Sequence, residues 1–181
     1  MGTERSFTPS LLVMGLLITD LTLLSSLNGE LVGRFGPIKA MSEPQRFEFT
    51  DYYDKEMGTK PWRLYLCFER LVDPSSLADI KKWTNALEAS REREGRRTCN
   101  LDPGLLGLSS LILATTKARA HRIPLHSGIH AEVTLIYQAG AFSCLPWTYQ
   151  DYRSEDVRSL LKQWRADYHR HVKQEGNPAP F

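Results

Sequence analysis

The chain has 181 residues, 41% of them hydrophobic, which is enough to bury one sizeable core and too little for two. Its formal net charge of +2 is close to balanced, so composition gives no case for nucleic acid or an anionic membrane as the main partner. Three cysteines, Cys67, Cys99 and Cys144, make an odd number without CxxC spacing, which argues against a disulfide framework and suits a reducing compartment.

Residues 11 to 18, "LLVMGLLI", form a continuous apolar run, the pattern of a strand covered on both faces. Thr19 and Asp20 end it short of the roughly 18 to 20 apolar residues a membrane span needs, and no small-residue cleavage site follows, so a cytoplasmic protein with no membrane partner is expected. Thr19 or Asp20 then caps a short helix carrying Leu21, Leu23, Leu24 and Leu27, which Gly29 ends. "GRFGPIKAMSEPQ" reads as a loop. "RFEFTDYY" and "WRLYLCFE" alternate apolar with polar residues and predict two half-buried strands.

Asp73 is a good N-cap and Pro74 sits at the first helical position, so a helix is predicted from there to about Arg93. Leu77, Ile80, Thr84 and Leu87 make its buried stripe. At about 100° per residue, Lys81, Thr84, Asn85 and Glu88 gather at the margin of that stripe. "TCNLDPG" predicts a short strand that ends in a turn at Asp-Pro-Gly. Four strands follow, at 110–117, 121–126, 129–138 and 141–145, joined by "ARA", "SG" and "AG". A last helix from Ser154 buries Val157, Leu160, Leu161, Trp164 and Tyr168, and the tail "QEGNPAPF" reads as loose. One domain is expected, with its core over about 8–173. Its class is α+β: a mostly antiparallel sheet with helices on one face, whose first part fits a ferredoxin-like βαββαβ unit.

If "ARA" is a three-residue loop, Lys117 pairs with His121. If Ser127-Gly128 is a two-residue turn, His121 pairs with Thr134 and Ile123 with Glu132. Lys117, His121, Thr134 and Glu132 then form one patch on one sheet face, with Arg122 on the opposite face beside Val133. In that patch His121 acts as acid, base or hydrogen-bond donor, Glu132 orients it, and Lys117 meets an anionic group. An ordinary Lys-Glu pair on a wet sheet face is the plainer account. His121, His126 and His130 do not converge, so no metal site is expected. No glycine precedes a lysine and no GxGxxG occurs, so a nucleotide site would have to be built from side chains, and no cofactor is indicated. Residues 153 to 173 carry six Lys or Arg against three acids, a face that fits RNA, phosphate or plain solvent.

Several stretches together, "GRFGPI", "FTDYYDKEMG", "LVDPSSLADIKKWTNALE", "NLDPG", "LILATTK", "HRI", "GIHAEVTL" and "WTYQDY", resemble an uncharacterised prokaryotic family, that of the domain of unknown function 4416. The resemblance spans residues 33 to 152 and implies a small, soluble, single-domain protein with no established activity. It also marks polar positions: Asp51, Glu56, Lys81, Asn85, Glu88, Asn100, Asp102, Lys117, His121, Arg122 and Glu132. With these, the expected function is an enzyme or ligand-binding domain for a small phosphorylated, carboxylated or nucleotide metabolite. His121, Glu132 and Asp102 are the catalytic candidates. Lys117, Arg122, Lys81, Asn85, Glu88, Asn100, Thr134, Asp51 and Glu56 are the binding candidates. The alternative is an interaction module that takes RNA or a protein partner through the basic last helix and the aromatics of "WTYQDY".

Overall fold

A computed structural model describes residues 2–175. Its strands are β1 (Ser10–Ile18), β2 (Ile38–Met41), β3 (Gln45–Arg46), β4 (Trp62–Val72), β5 (Cys99–Leu106), β6 (Ser110–Thr115), β7 (Ile123–Pro124), β8 (His130–Gln138) and β9 (Ala141–Cys144). Its helices are α1 (Leu23–Phe35), α2 (Tyr52–Met57), α3 (Leu77–Ser90), α4 (Gln150–Arg153) and α5 (Glu155–Glu175), with a 3₁₀ turn at Pro74–Ser76 ahead of α3. The fold is α+β around one antiparallel sheet in the order β2-β4-β1-β5-β6-β8-β7, with β3 added to β4 and β9 to β8. The run β1-α1-β2-β4-α3-β5 places its strands in the order β2-β4-β1-β5, the arrangement of a ferredoxin-like unit.

Helices cover both faces of this sheet, where the sequence suggested one. Leu27, Leu31 and Phe35 of α1, with Ile80 and Leu87 of α3, pack on Leu12, Met14, Leu16, Leu64, Leu66 and Leu101. Leu161, Trp164 and Tyr168 of α5 pack on the opposite side against Leu11, Val13, Cys67, Leu106 and Leu135. Two-sided cover explains why all nine residues of β1 are buried, and why β4, expected to be half-exposed, is buried without a break from Arg63 to Phe68.

Other differences have local causes. The first helix runs through Gly29 and Gly33 because both lie on its open side, where a Cβ would meet nothing, so each costs propensity without breaking the helix. Strand β2 forms inside the stretch read as a loop. "RFEFTDYY" supplies only Arg46 to a strand; Phe47 is then buried against Leu17 and Met57, and the chain turns into α2. β5 passes straight through Asp102-Pro103-Gly104, which the sequence marked as a turn. The Asp73 cap holds, its carboxylate accepting the Ser75 amide at 2.7 Å. The last helix continues to Glu175; the remainder of the tail read as loose, 176–181, lies outside the described residues.

The strand pairing after β5 is rearranged. β6 pairs directly with β8, Leu113 facing Glu132, and β7 lies on the far side of β8 with Ile123 facing Ala131. Hydrogen bonds from Leu125 to Ile129 and from Ile129 to His126 make the turn wider than two residues, which slips the register by one. Pro124 leaves β7 only two residues long at the sheet edge.

Candidate functional site

β5 and β6 are paired only from Gly104 to Leu106, opposite Leu111 to Leu113. Beyond Gly104 they part, β5 staying on β1 down to Cys99 and β6 staying on β8 out to Thr115. The open stretch of β5 is satisfied by side chains of α3: Lys81 Nζ donates to the Leu101 carbonyl at 2.6 Å, and the Leu101 amide donates to Glu88 Oε1 at 2.8 Å. Lys81 and Glu88 also face each other at 3.6 Å, both buried. These two residues do for Leu101 what a neighbouring strand would have done.

The gap opens into a cleft of about 630 Å³, a size suited to a small metabolite. Its floor is Asn100 and Asp102 of β5 with Arg63 of β4; one wall is α3, another is Leu113 to Lys117, and the rim carries Arg119, Arg122 and the segment Trp147–Tyr152. Phe47, Phe49, Tyr53 and Glu56 close it from the β3–α2 side. Six cations line it against four carboxylates, so its field favours an anion.

On the floor, Arg63 is buried and held by two carboxylates, Asp102 at 3.1 Å and Asp151 at 2.7 Å. Tyr65 Oη donates to Asp151 at 3.0 Å. Burial works to raise the Asp102 carboxyl, but the charges of Arg63 and Lys81 outweigh it, aided by the side chains of Asn100 and Arg63, and hold it below its ordinary range. The Asn100 amide nitrogen lends Asp102 this help without reaching hydrogen-bonding geometry; its oxygen accepts from Arg97 at 2.7 Å. Burial pushes the Tyr65 and Tyr152 phenols above their ordinary value, against the opposing pull of Arg63, so both stay protonated at neutral pH.

A second node lies behind the rim. Glu132 is 1% exposed, and its Oε2 takes Arg122 Nε at 2.7 Å and His121 Nε2 at 3.0 Å while its Oε1 takes the Thr134 hydroxyl at 3.2 Å. Arg122 also donates to the Lys117 carbonyl and to Tyr149 Oη, each at 2.7 Å. His121 stacks on Trp147 with ring centroids 4.7 Å apart and planes within 10°. Trp147 is anchored in turn by its indole N–H on the Val133 carbonyl at 2.8 Å.

The structure thus splits the residues singled out from sequence. Glu56, Lys81, Asn85, Glu88, Asn100, Asp102, Lys117 and Arg122 line the cleft. His121, Glu132 and Thr134 do meet, through turn geometry and not through the assumed pairing, but they stand behind the lining. Arg122, placed on the opposite face by that pairing, joins them on Glu132. Asp51 is exposed at the start of α2 and does not line the cleft. Trp147 and Tyr149, counted from sequence toward a partner surface, are cleft walls. Among the described residues, no group of three or more His, Cys, Asp or Glu stands in a way that could hold a metal ion. No described helix is long and apolar enough to cross a membrane.

Sequence reasoning missed Arg63, Arg97 and Asp151, and gave Tyr149 and Tyr152 to a partner surface when they line the cleft. Arg97 binds Glu56 at 3.1 Å and also pairs with Glu88, tying α2 to α3 at one end of the cleft. One signal was available for Arg63: Gly15, inside the most apolar strand, marks a close approach. A Cβ there would lie 2.6 Å from Arg63 Nη2 and 2.9 Å from Tyr152 Oη.

No curated protein and no solved structure matches the chain significantly. The family model described as "Domain of unknown function (DUF4416)" matches residues 8–168, most of the chain, and the protein belongs to that family.

Proposed function

We propose that the protein binds a small anionic metabolite, phosphorylated or carboxylated, in the cleft between β5 and β6. The carrying observation is the distribution of charge along the lining. Arg63, Lys81 and Arg97, at the floor and inner wall, are each bound to carboxylates, Lys117 and Arg119 stand exposed at the rim beside Arg122, and along the whole lining six cations face four carboxylates. Arg122 has a 7% exposed side chain fixed by three acceptors, so its two remaining N–H groups are aimed before any ligand arrives. In this reading Glu132 and His121 are positioning residues: Glu132 holds Arg122, and His121 holds Trp147. The setting is a reducing one, the cytoplasm, which the three free thiols suit.

Thermal-shift and calorimetric screening against inorganic phosphate, sugar phosphates, nucleotides and small carboxylates tests this directly. Stabilisation that is lost in Lys117→Ala and in Arg122→Ala supports it. A broad panel without a hit, or salt-sensitive retention on RNA that Arg122→Ala leaves unchanged, replaces it with the interaction-module reading.

A further inference from the structure

The cleft presents two different chemistries at its two ends, and together they describe a ligand. At the rim stand Lys117, Arg119 and Arg122. On the floor stands Asp102, with a side chain 26% exposed; its Oδ2 is taken by Arg63, and its Oδ1 accepts no hydrogen bond from the described residues. Tyr149, whose hydroxyl oxygen accepts from Arg122, lines the same cleft and feels the charge of Asp102. The proton of that hydroxyl remains available to donate.

An ionised carboxylate with an unused oxygen in a cleft excludes an apolar or anionic group from the space above it. It asks for a donor. An ammonium is disfavoured, because Arg63 and Lys81 already supply positive charge to Asp102 and the lining as a whole is cationic. A neutral donor that can also accept fits both neighbours at once, giving its proton to Asp102 and taking one from Tyr149. A hydroxyl is that group. Burial lifts the Tyr149 phenol to about 12, with the negative charge of Glu132 adding to the rise and Arg122 opposing it, so it carries its proton at neutral pH. Half-exposed Trp147 and Phe49 supply flat apolar surface for the carbon face of such a molecule.

We infer that the ligand is a polyhydroxylated metabolite carrying one phosphate or carboxylate, with its anionic group at Lys117, Arg119 and Arg122 and its hydroxyls shared between Asp102 and Tyr149. This rests on the proposed anion-binding role of the cleft. It adds what lies beyond the anion.

Calorimetry on the full chain separates the two statements, using inorganic phosphate, ribose 5-phosphate, phenyl phosphate, adenosine 5′-monophosphate and ribonate as probes. Ribose 5-phosphate is expected to bind about tenfold or more tighter than phenyl phosphate, as loss of a hydrogen bond to a charged group implies. Asp102→Asn removes that preference. Tyr149→Phe, which keeps the ring, reduces the preference and guards against a folding defect in the first variant. Ribonate against ribose 5-phosphate tells carboxylate from phosphate. Phenyl phosphate binding as tightly as ribose 5-phosphate and adenosine 5′-monophosphate, or an Asp102→Asn protein with its preference intact, overturns the inference and leaves anion binding standing. Failure of every phosphate and carboxylate to bind overturns both.

Discussion

Arg63 on β4 and Asp102 on β5 pair at 3.1 Å across β1, which runs between their strands with Gly15 facing both Tyr65 and Asp102 in register. The guanidinium lies over the one position in β1 that has no side chain. Gly15→Ala is therefore expected to push Arg63 and Tyr152 aside and to cost about 1–3 kcal/mol, the usual range for overpacking. Urea denaturation measures it. A neutral result would mean that Arg63 moves without cost and that the floor is soft.

Asp102 gives acid sensitivity with a defined sign. Its folded pKa lies below its ordinary 3.8, so ionised Asp102 stabilises the folded protein above that pH, and the contribution fades as pH falls through the folded value. The stability gap between wild type and Asp102→Asn should be largest at pH 7 and should narrow below about pH 4. Denaturation midpoints at pH 7 and pH 3 give the comparison. A gap that widens on acidification contradicts the assignment.

Glu132 is buried with Arg122 as its charge partner. Removing one side of such a pair strands the other, so Glu132→Ala should cost about 3–5 kcal/mol. Thr134→Val, which removes one neutral donor from the same carboxylate, should cost about 1 kcal/mol. Both changes should also blue- or red-shift Trp147 emission if Glu132 holds the His121 ring in place; unchanged emission would separate the two nodes.

Lys81→Met leaves the Leu101 carbonyl without its donor on the open stretch of β5, at an expected cost of about 1–3 kcal/mol. Amide exchange at Leu101 is the sharper readout, because its protection comes from Glu88 on α3 and not from a strand. Glu88→Ala should raise exchange at Leu101 far more than at Leu105, which pairs within the sheet.

Burial raises the Cys67 thiol to about 12 and the Cys99 thiol to about 11, so both stay protonated and covered at pH 8. Iodoacetamide on the native protein should modify Cys144, the partly exposed one, well before the other two. Mass spectrometry after a short pulse shows whether one label or three are added.

Sequence carried the frame where a local rule and the tertiary demand agree. β1 reads as a strand covered on both sides and is one. Asp73-Pro74 opens a helix, and the stripe Leu77, Ile80, Thr84 and Leu87 is buried. It failed where packing overrode a local signal. Asp102-Pro103-Gly104 spells a turn, yet the strand continues because β1 holds it along its whole length. The groups of Leu101 point away from β1, and by alternation the missing N–H of Pro103 points the same way, toward the side β6 has begun to leave. The meeting of His121 with Glu132 was legible from composition and short connectors, although a wider turn replaced the assumed register. Arg63 and Asp151 were not legible, because 88 residues separate them in sequence and only the closure of α4 over the sheet brings them together.

Strands joined by a ladder keep a fixed spacing of roughly 4.8 Å, which leaves no room for a guest. Along β5 that constraint is lifted, and the width of the opening is decided by the lengths of two side chains on a helix. Exchanges at these two positions on α3 can therefore resize the chamber without unpairing any strand, at the cost of the two hydrogen bonds they give Leu101.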